Sequence, residues 1–214
     1  MHNDVILRLA ADNVEMGDVD RLVNIYWALS SVLVQQVPGD VIEAGCNEGR
    51  TSVLLQQVIN HFAPDRSLHL YDSFEGLPEP SEHDTFLHRG ALAVTVDDLR
   101  RTFEQWHLPL PQTHQGWFDQ TMPDQLPDRI CFGYLDADYY ESTLVSLEHI
   151  YPRMSPDAIL VIDDYCDLTR NPHAFSGFAG PKRACDEFFA DKPEEISVLV
   201  GVKDLAFGYF RKGR

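Results

Sequence analysis

Cationic residues are scarce in this sequence. Seventeen Lys and Arg stand against 34 Asp and Glu, a formal net charge of −17. A surface so charged repels phosphate backbones and anionic lipid, which argues against nucleic acid or a membrane as partner. A neutral or cationic small molecule suits it better. Cysteine is sparse too: Cys46, Cys131, Cys166 and Cys185 show no CxxC or zinc-type spacing, so free thiols in a reducing cytosol are expected. Met1 to Gly17 lacks the basic segment and apolar run of a signal peptide. Nothing approaches the roughly 20 apolar residues of a membrane span, and no repeat or low-complexity tract occurs. The expected location is the cytoplasm.

What is present suits one globular domain. Hydrophobic residues make up 44% of 214, enough for a single sizeable core, and 24% charged residues argue against wholesale disorder. Val19, Leu22, Val23, Tyr26, Leu29, Leu33 and Val37 recur at helical spacing and predict a helix from about Asp18 to Val37, stopped by Pro38-Gly39. Strand and helix then alternate. Strands are expected at Asp40–Gly45, Ser67–Asp72, Gln112–Gly116, Arg129–Asp136 and Ala158–Ile162, and helices at Arg50–Phe62, after Thr95, at Glu141–Tyr151 and from Pro181 to about Ala190. Two last strands, Ile196–Val200 and Leu205–Phe210, are placed to form a hairpin. The alternation predicts a doubly wound, mostly parallel α/β sheet. Two long irregular stretches, Glu75–Ala93 and Asp167–Gly180, follow strands at the edge where such sheets bind ligands, and are expected to be lids.

Three clusters carry chemistry. The first strand ends in Glu43-Ala44-Gly45-Cys46-Asn47-Glu48-Gly49, opening a helix at Arg50-Thr51-Ser52. Such a turn brings backbone close to a ligand and offers free N–H groups to a carboxylate, while Glu43 suits an ammonium group. Its GxxxG spacing is neither the dinucleotide GxGxxG nor a phosphate loop, which needs a Lys where Arg50 stands. Asp72 closes the second strand, where nucleoside-binding folds place a carboxylate for ribose hydroxyls. Asp136 and Asp138 end one strand, and Asp163 and Asp164 the next. Neighbouring strands lie ~4.8 Å apart, and carboxylates that close repel each other unless a cation sits among them. All-oxygen ligation favours Mg²⁺, Mn²⁺ or Ca²⁺. Asp138 has an alternative reading as a helix cap.

The blocks Gly39–Gly45, Tyr71-Asp72-Ser73-Phe74-Glu75-Gly76-Leu77-Pro78, Gly116-Trp117-Phe118, Leu135 to Thr143, Tyr151 to Pro156, Ile162-Asp163-Asp164-Tyr165 and Asp186-Glu187-Phe188 resemble the macrocin O-methyltransferase family, in the family's order. The resemblance implies a Rossmann-like class I methyltransferase domain over residues 39–214, after an N-terminal helical segment at 1–38. It implies S-adenosylmethionine and Mg²⁺ (or Mn²⁺) as cofactors and a small-molecule hydroxyl acceptor, with a sugar or glycosylated natural product among the options. In that reading Glu43, Gly45, Asn47, Glu48, Gly49, Thr51 and Ser52 hold the methionine part of the cofactor. Asp72 and Ser73 hold the ribose, and Gln115, Gly116 and Trp117 lie beside the adenine. Asp136, Asp163 and Asp164 match the metal-binding aspartates. Asp136 also faces the cofactor and is the expected general base, with His88 and His173 as alternatives. Assembly as a homodimer is left open. Two rivals differ in class: a phosphotransferase or ATPase with 159–164 as a Walker-B-like strand, which lacks a phosphate loop, and a binding protein that lost catalysis, which the intact acidic cluster opposes.

Overall fold

The computed structural model describes residues 2–12 and 18–213; positions 1 and 13–17 of the expected N-terminal segment lie outside them. Helix α1 spans His2–Asp12, inside the expected N-terminal helical segment, where no separate helix was drawn. Helix α2 (Val19–Val34) opens on Asp18, whose carboxylate accepts the Arg21 N–H at 2.9 Å. It ends short of the expected Val37. Pro38 disfavours helical backbone at the residue before it, and Gln36 takes a left-handed φ of 57° as the chain leaves.

The remaining elements follow the expected alternation: β1 (Asp40–Ala44), α3 (Arg50–Phe62), β2 (Leu68–Asp72), α4 (Val96–Gln105), β3 (Gln112–Gln115), α5 (Phe118–Gln125), β4 (Ile130–Leu135), α6 (Tyr140–Ile150), β5 (Met154–Ile162), α7 (Gly180–Phe188), β6 (Ser197–Leu199) and β7 (Phe207–Arg211). Thr95 caps α4 reciprocally with Asp98, a capping box. Helix α5 was not foreseen, being eight residues long with Pro123 inside it.

One seven-stranded sheet runs in the order β3-β2-β1-β4-β5-β7-β6. Its first five strands are parallel, and β7 lies antiparallel between β5 and β6, so the expected hairpin forms. Strands β1 and β4 are almost entirely buried, as expected when helices cover both faces. The helices pack as two groups, α1–α2–α3 and α5–α6–α7. This is the Rossmann-like class I fold. Chain order reverses beside β1, so the carboxyl edge between β1 and β4 is the switch point where such sheets bind ligands. No helix among the described residues is long and apolar enough to cross a membrane.

Candidate active site

Register decides which residues meet at that edge. Tyr71, Ala44, Leu135 and Ile162 pair across β2, β1, β4 and β5. The next residues, Asp72, Gly45, Asp136 and Asp163, therefore leave the sheet side by side. Three ladder bonds extend the pairing one step further: Gly45 N–H to Tyr71 O, Asp136 N–H to Ala44 O and Asp163 N–H to Leu135 O, each 2.8 Å. Two clefts open there, of about 320 and 200 Å³, and they share Gly45, Asn47 and Asp136. Together they make one bent site of the size that small-molecule pockets have.

The glycine turn is built for close approach. Gly45 has φ +85°, and a Cβ there would lie 1.7 Å from the Asp136 carbonyl oxygen. Asn47 is left-handed at φ 49°, and Gly49 caps α3 at φ +81°. Asp72 braces this turn: its two oxygens accept the Asn47 and Phe74 N–H groups, both at 2.8 Å. Burial raises the Asp72 carboxyl, and these two bonds oppose the rise. Glu43 is buried at the floor of the smaller cleft and accepts the Ser52 hydroxyl. Burial pushes its carboxyl well above the ordinary range, against the Ser52 bond, with the charges of Asp136 and Asp72 adding to the rise.

The acidic cluster assembles differently from expectation. Carboxylate oxygens of Asp136, Asp138 and Asp164 all lie within 4.8 Å of one another. Asp163 is drawn away, pairing with the Arg21 guanidinium of α2 and accepting the Tyr134 hydroxyl. Successive side chains of an extended segment point to opposite faces, so Asp163 and Asp164 diverge as β5 ends. Asp138 supplies the third carboxylate because a left-handed φ of 59° breaks the extended run after β4. It does not cap α6: Tyr139 holds that position without a side-chain bond. Burial, more than any neighbour, pushes the Asp136 carboxyl up to about 6 and that of Asp164 up to about 7, while Arg21 holds both down. Asp138 is raised further, by burial and then by the charges of Asp136, Asp164 and Asp72.

Of the other expected residues, Glu43, Glu48 and Thr51 line the smaller cleft, and Asp72, Ser73 and Trp117 the larger. Gly49 and Ser52 stand behind the turn, the first against Leu99 and the second on Glu43. Gln115 and Gly116 line neither cleft, and Gly116 serves to turn the chain at φ +143° so that Trp117 can. His88 and His173 are exposed and line neither cleft. Arg21, Tyr134, Leu92, Glu141 and Ser142 line the site without having been singled out. Glu141 and Ser142 sat inside the Leu135–Thr143 block and were findable from it. Arg21 lies 142 positions from Asp163, and no local pattern announces such a pair.

Residues 11–186 match the sequence model of the macrocin-O-methyltransferase (TylF) family. A tetracenomycin-C rhamnosyl 4′-O-methyltransferase of Streptomyces olivaceus is 36% identical over 178 residues, covering 77% of this chain and 68% of that one. Demethyldecarbamoylnovobiocin O-methyltransferase of Streptomyces niveus is 33% identical over 161 residues, 70% of this chain and 62% of that one. The chain thus spans about two thirds of the length of these relatives. The solved structure of the O-methyltransferase NovP superposes with a TM-score of 0.79 at 28% identity, covering 93% of this chain and 82% of that one.

Proposed function

The chain belongs to the macrocin-O-methyltransferase family, S-adenosylmethionine-dependent O-methyltransferases, and on that premise we propose that it methylates a sugar hydroxyl of a glycosylated natural product with the help of a divalent cation. The observation that carries this reading is the place of Asp136. It is shared by both clefts and belongs to the carboxylate cluster, so it stands where a donor in one arm and an acceptor in the other meet.

The donor set fits Mg²⁺ or Mn²⁺: three carboxylates, all oxygen, close enough to share one ion and costly to keep charged together without one. Asp136, Asp138 and Asp164 would hold it. When bound, such a cation lowers the pKa of a coordinated hydroxyl and fixes its direction. S-adenosylmethionine supplies the methyl group. Its amino-acid end suits the smaller cleft, where the buried Glu43 carboxyl meets an ammonium and the N-terminus of α3 meets a carboxylate. Asp72 takes the ribose hydroxyls with the lone pairs that Asn47 and Phe74 leave free, and Trp117 offers a ring face to the adenine.

Asp136 is the general base in this proposal. It is shared by both clefts, and with one oxygen toward the cation its second oxygen remains for the hydroxyl proton. The 75–93 loop closes the larger cleft through Gly76, Leu77, Pro78 and Leu92, which keeps water from the transfer. The phosphotransferase alternative has no phosphate loop, and Asp163 of its Walker-B-like strand is tied to Arg21.

The test measures S-adenosylhomocysteine release with a panel of rhamnosides as acceptors. Turnover should appear, fall about a hundredfold or more in EDTA, and return with added Mg²⁺ or Mn²⁺. In Asp164→Asn the cation should not restore it, although S-adenosylhomocysteine binding stays within a fewfold of normal. Full turnover in metal-free protein would leave Asp136 acting as base without an ion.

A further inference from the structure

Three phenylalanines stand where the two long loops meet. The ring centroid of Phe86, in the 75–93 loop, lies 5.6 Å from that of Phe175 and 5.0 Å from that of Phe178, both in the 167–180 loop. Those two are 6.1 Å apart, and all three pairs meet edge to face. Phe178 is half-buried, but Phe86 and Phe175 are 40% and 37% exposed. Neither exposed ring is loosely held. Leu87 takes a left-handed φ of 64°, an unfavourable backbone for a residue with a Cβ, and the Phe86 carbonyl accepts the hydroxyl of the buried Tyr139 at 3.1 Å. On the other loop the Phe175 N–H donates to the Asp204 carbonyl at 2.7 Å, and the Phe175 ring folds back on Gly177 so closely that a Cβ there would collide with it. Gly180 closes in the same way on Asp84 and Tyr140, which holds the two loops together.

This apolar surface is continuous with the reaction site. Phe86 is tied to Tyr139, the residue after Asp138, and the loop of Phe175 begins three residues beyond Asp164. Its charge also sets it apart. The chain holds 34 acidic residues, yet 85–96 and 168–185 contain none, while both runs contain basic ones. A cation would find no carboxylate within either run, so of the neutral and cationic acceptors that the overall charge favours, the neutral kind suits this surface. We propose that Phe86, Phe175 and Phe178 form the subsite for the aglycone of the acceptor, and that they select a neutral, planar aromatic one. The inference deepens the glycosylated-acceptor reading given above and rests on it: the sugar hydroxyl sits at the strand-end carboxylates, and the group on the anomeric carbon lies against the rings. Rings set edge to face let a flat group stack on one while meeting the edge of the other. An alkyl chain gains burial alone.

Isothermal titration calorimetry with S-adenosylhomocysteine present compares 4-methylumbelliferyl, hexyl and methyl α-L-rhamnosides. The same three β-D-glucosides are run beside them, so that the choice of sugar does not decide the result. For at least one sugar the aryl glycoside should bind the parent about tenfold or more tightly than the methyl glycoside, and more tightly than the hexyl one. Phe86→Ala and Phe175→Ala should each cut the ratio of aryl to methyl affinity at least about fivefold. Phe175→Leu keeps apolar bulk without a ring, so it should lower aryl affinity and leave hexyl affinity near the parent value. Circular dichroism checks folding, and the Leu variant keeps the test alive should an Ala variant disturb the loops. The proposal is overturned by an aryl glycoside that binds no better than the methyl one, by a hexyl glycoside that binds best, or by an unchanged ratio in the folded variants. Turnover tells this failure from that of the underlying reading. Aryl glycosides that bind with the expected preference but release no S-adenosylhomocysteine from S-adenosylmethionine would remove the sugar-hydroxyl acceptor and leave the aromatic subsite standing. Methyl glycosides that turn over without any aryl preference would do the reverse.

Discussion

The Asn47 side chain donates to the Leu92 carbonyl at 3.0 Å, joining the cofactor turn to the loop that covers the larger cleft. Asn47 is also left-handed, so it combines a backbone task with a latch. The same loop is anchored beyond it by Asp84, which accepts the Tyr140 N–H at 3.0 Å. Phe86 there meets Phe178 of the second long loop at 5.0 Å.

Asn47→Gly keeps the left-handed backbone available and removes the latch, together with the bond that the Asn47 side-chain oxygen accepts from the Glu48 N–H at 2.8 Å. It should speed proteolysis within residues 75–93 and weaken S-adenosylhomocysteine binding about tenfold, the worth of roughly one hydrogen bond near 1.4 kcal/mol. Asn47→Ala should do worse, because Ala adds left-handed strain of about 1 kcal/mol. Cleavage at the parent rate in Asn47→Gly would show that Leu92 needs no latch.

Asp72→Asn should weaken S-adenosylhomocysteine more than ribose-free fragments of it. An amide can present only one acceptor oxygen, yet Asp72 must satisfy the Asn47 and Phe74 N–H groups and still meet the ribose. A loss of about 1–3 kcal/mol is expected, tenfold or more in Kd by calorimetry. Normal affinity would dissociate Asp72 from the ribose.

Much of this site was legible in the sequence, for physical reasons that differ by residue. Helix α3 forms where expected because Gly49 and the apolar spacing of Val53, Leu54 and Val58 are local signals. The Thr95 cap is likewise local. The strand-end carboxylates were findable because a parallel sheet aligns its carboxyl edge. Which carboxylates converge was not, since that depends on the left-handed turn at Asp138 and on an arginine from a distant helix. Alternation along an extended chain was the one available hint that Asp163 and Asp164 part. Helix α5 escaped because eight residues around Pro123 give too little periodicity to read.

Gly45→Ala and Gly90→Ala separate strain from collision. Both glycines have φ near +80°, but a Cβ at Gly90 meets nothing within 4 Å, whereas at Gly45 it strikes the Asp136 carbonyl. Denaturant midpoints should show about 1 kcal/mol lost at Gly90 and on the order of 3 kcal/mol or more at Gly45, with cofactor binding abolished only in the latter. Equal losses would mean that β1 and β4 can part to admit a methyl group.

The buried carboxylates make the stability of the protein depend on pH. Asp136 and Asp164 titrate near 6 and 7 in the folded protein, against an ordinary value of 3.8, chiefly because burial penalises their charged forms. Between about pH 4 and 7 the folded state therefore holds more protons than the unfolded chain. Stability falls with rising pH wherever the native state binds more protons. Metal-free protein should lose Tm across this window through these groups. Asp164→Asn removes one of them and relieves its neighbour, so its Tm should fall less between pH 5 and pH 8 than that of the parent. Saturating Mg²⁺ should act on the parent in the same direction, since a bound cation favours the charged carboxylates and displaces their protons. On Asp164→Asn its effect should be small. Differential scanning calorimetry of the two proteins, with EDTA and with Mg²⁺, gives all four slopes. Parallel slopes for parent and variant in EDTA would mean that Asp164 is charged across the whole range, and that the cluster pays no penalty a cation could relieve.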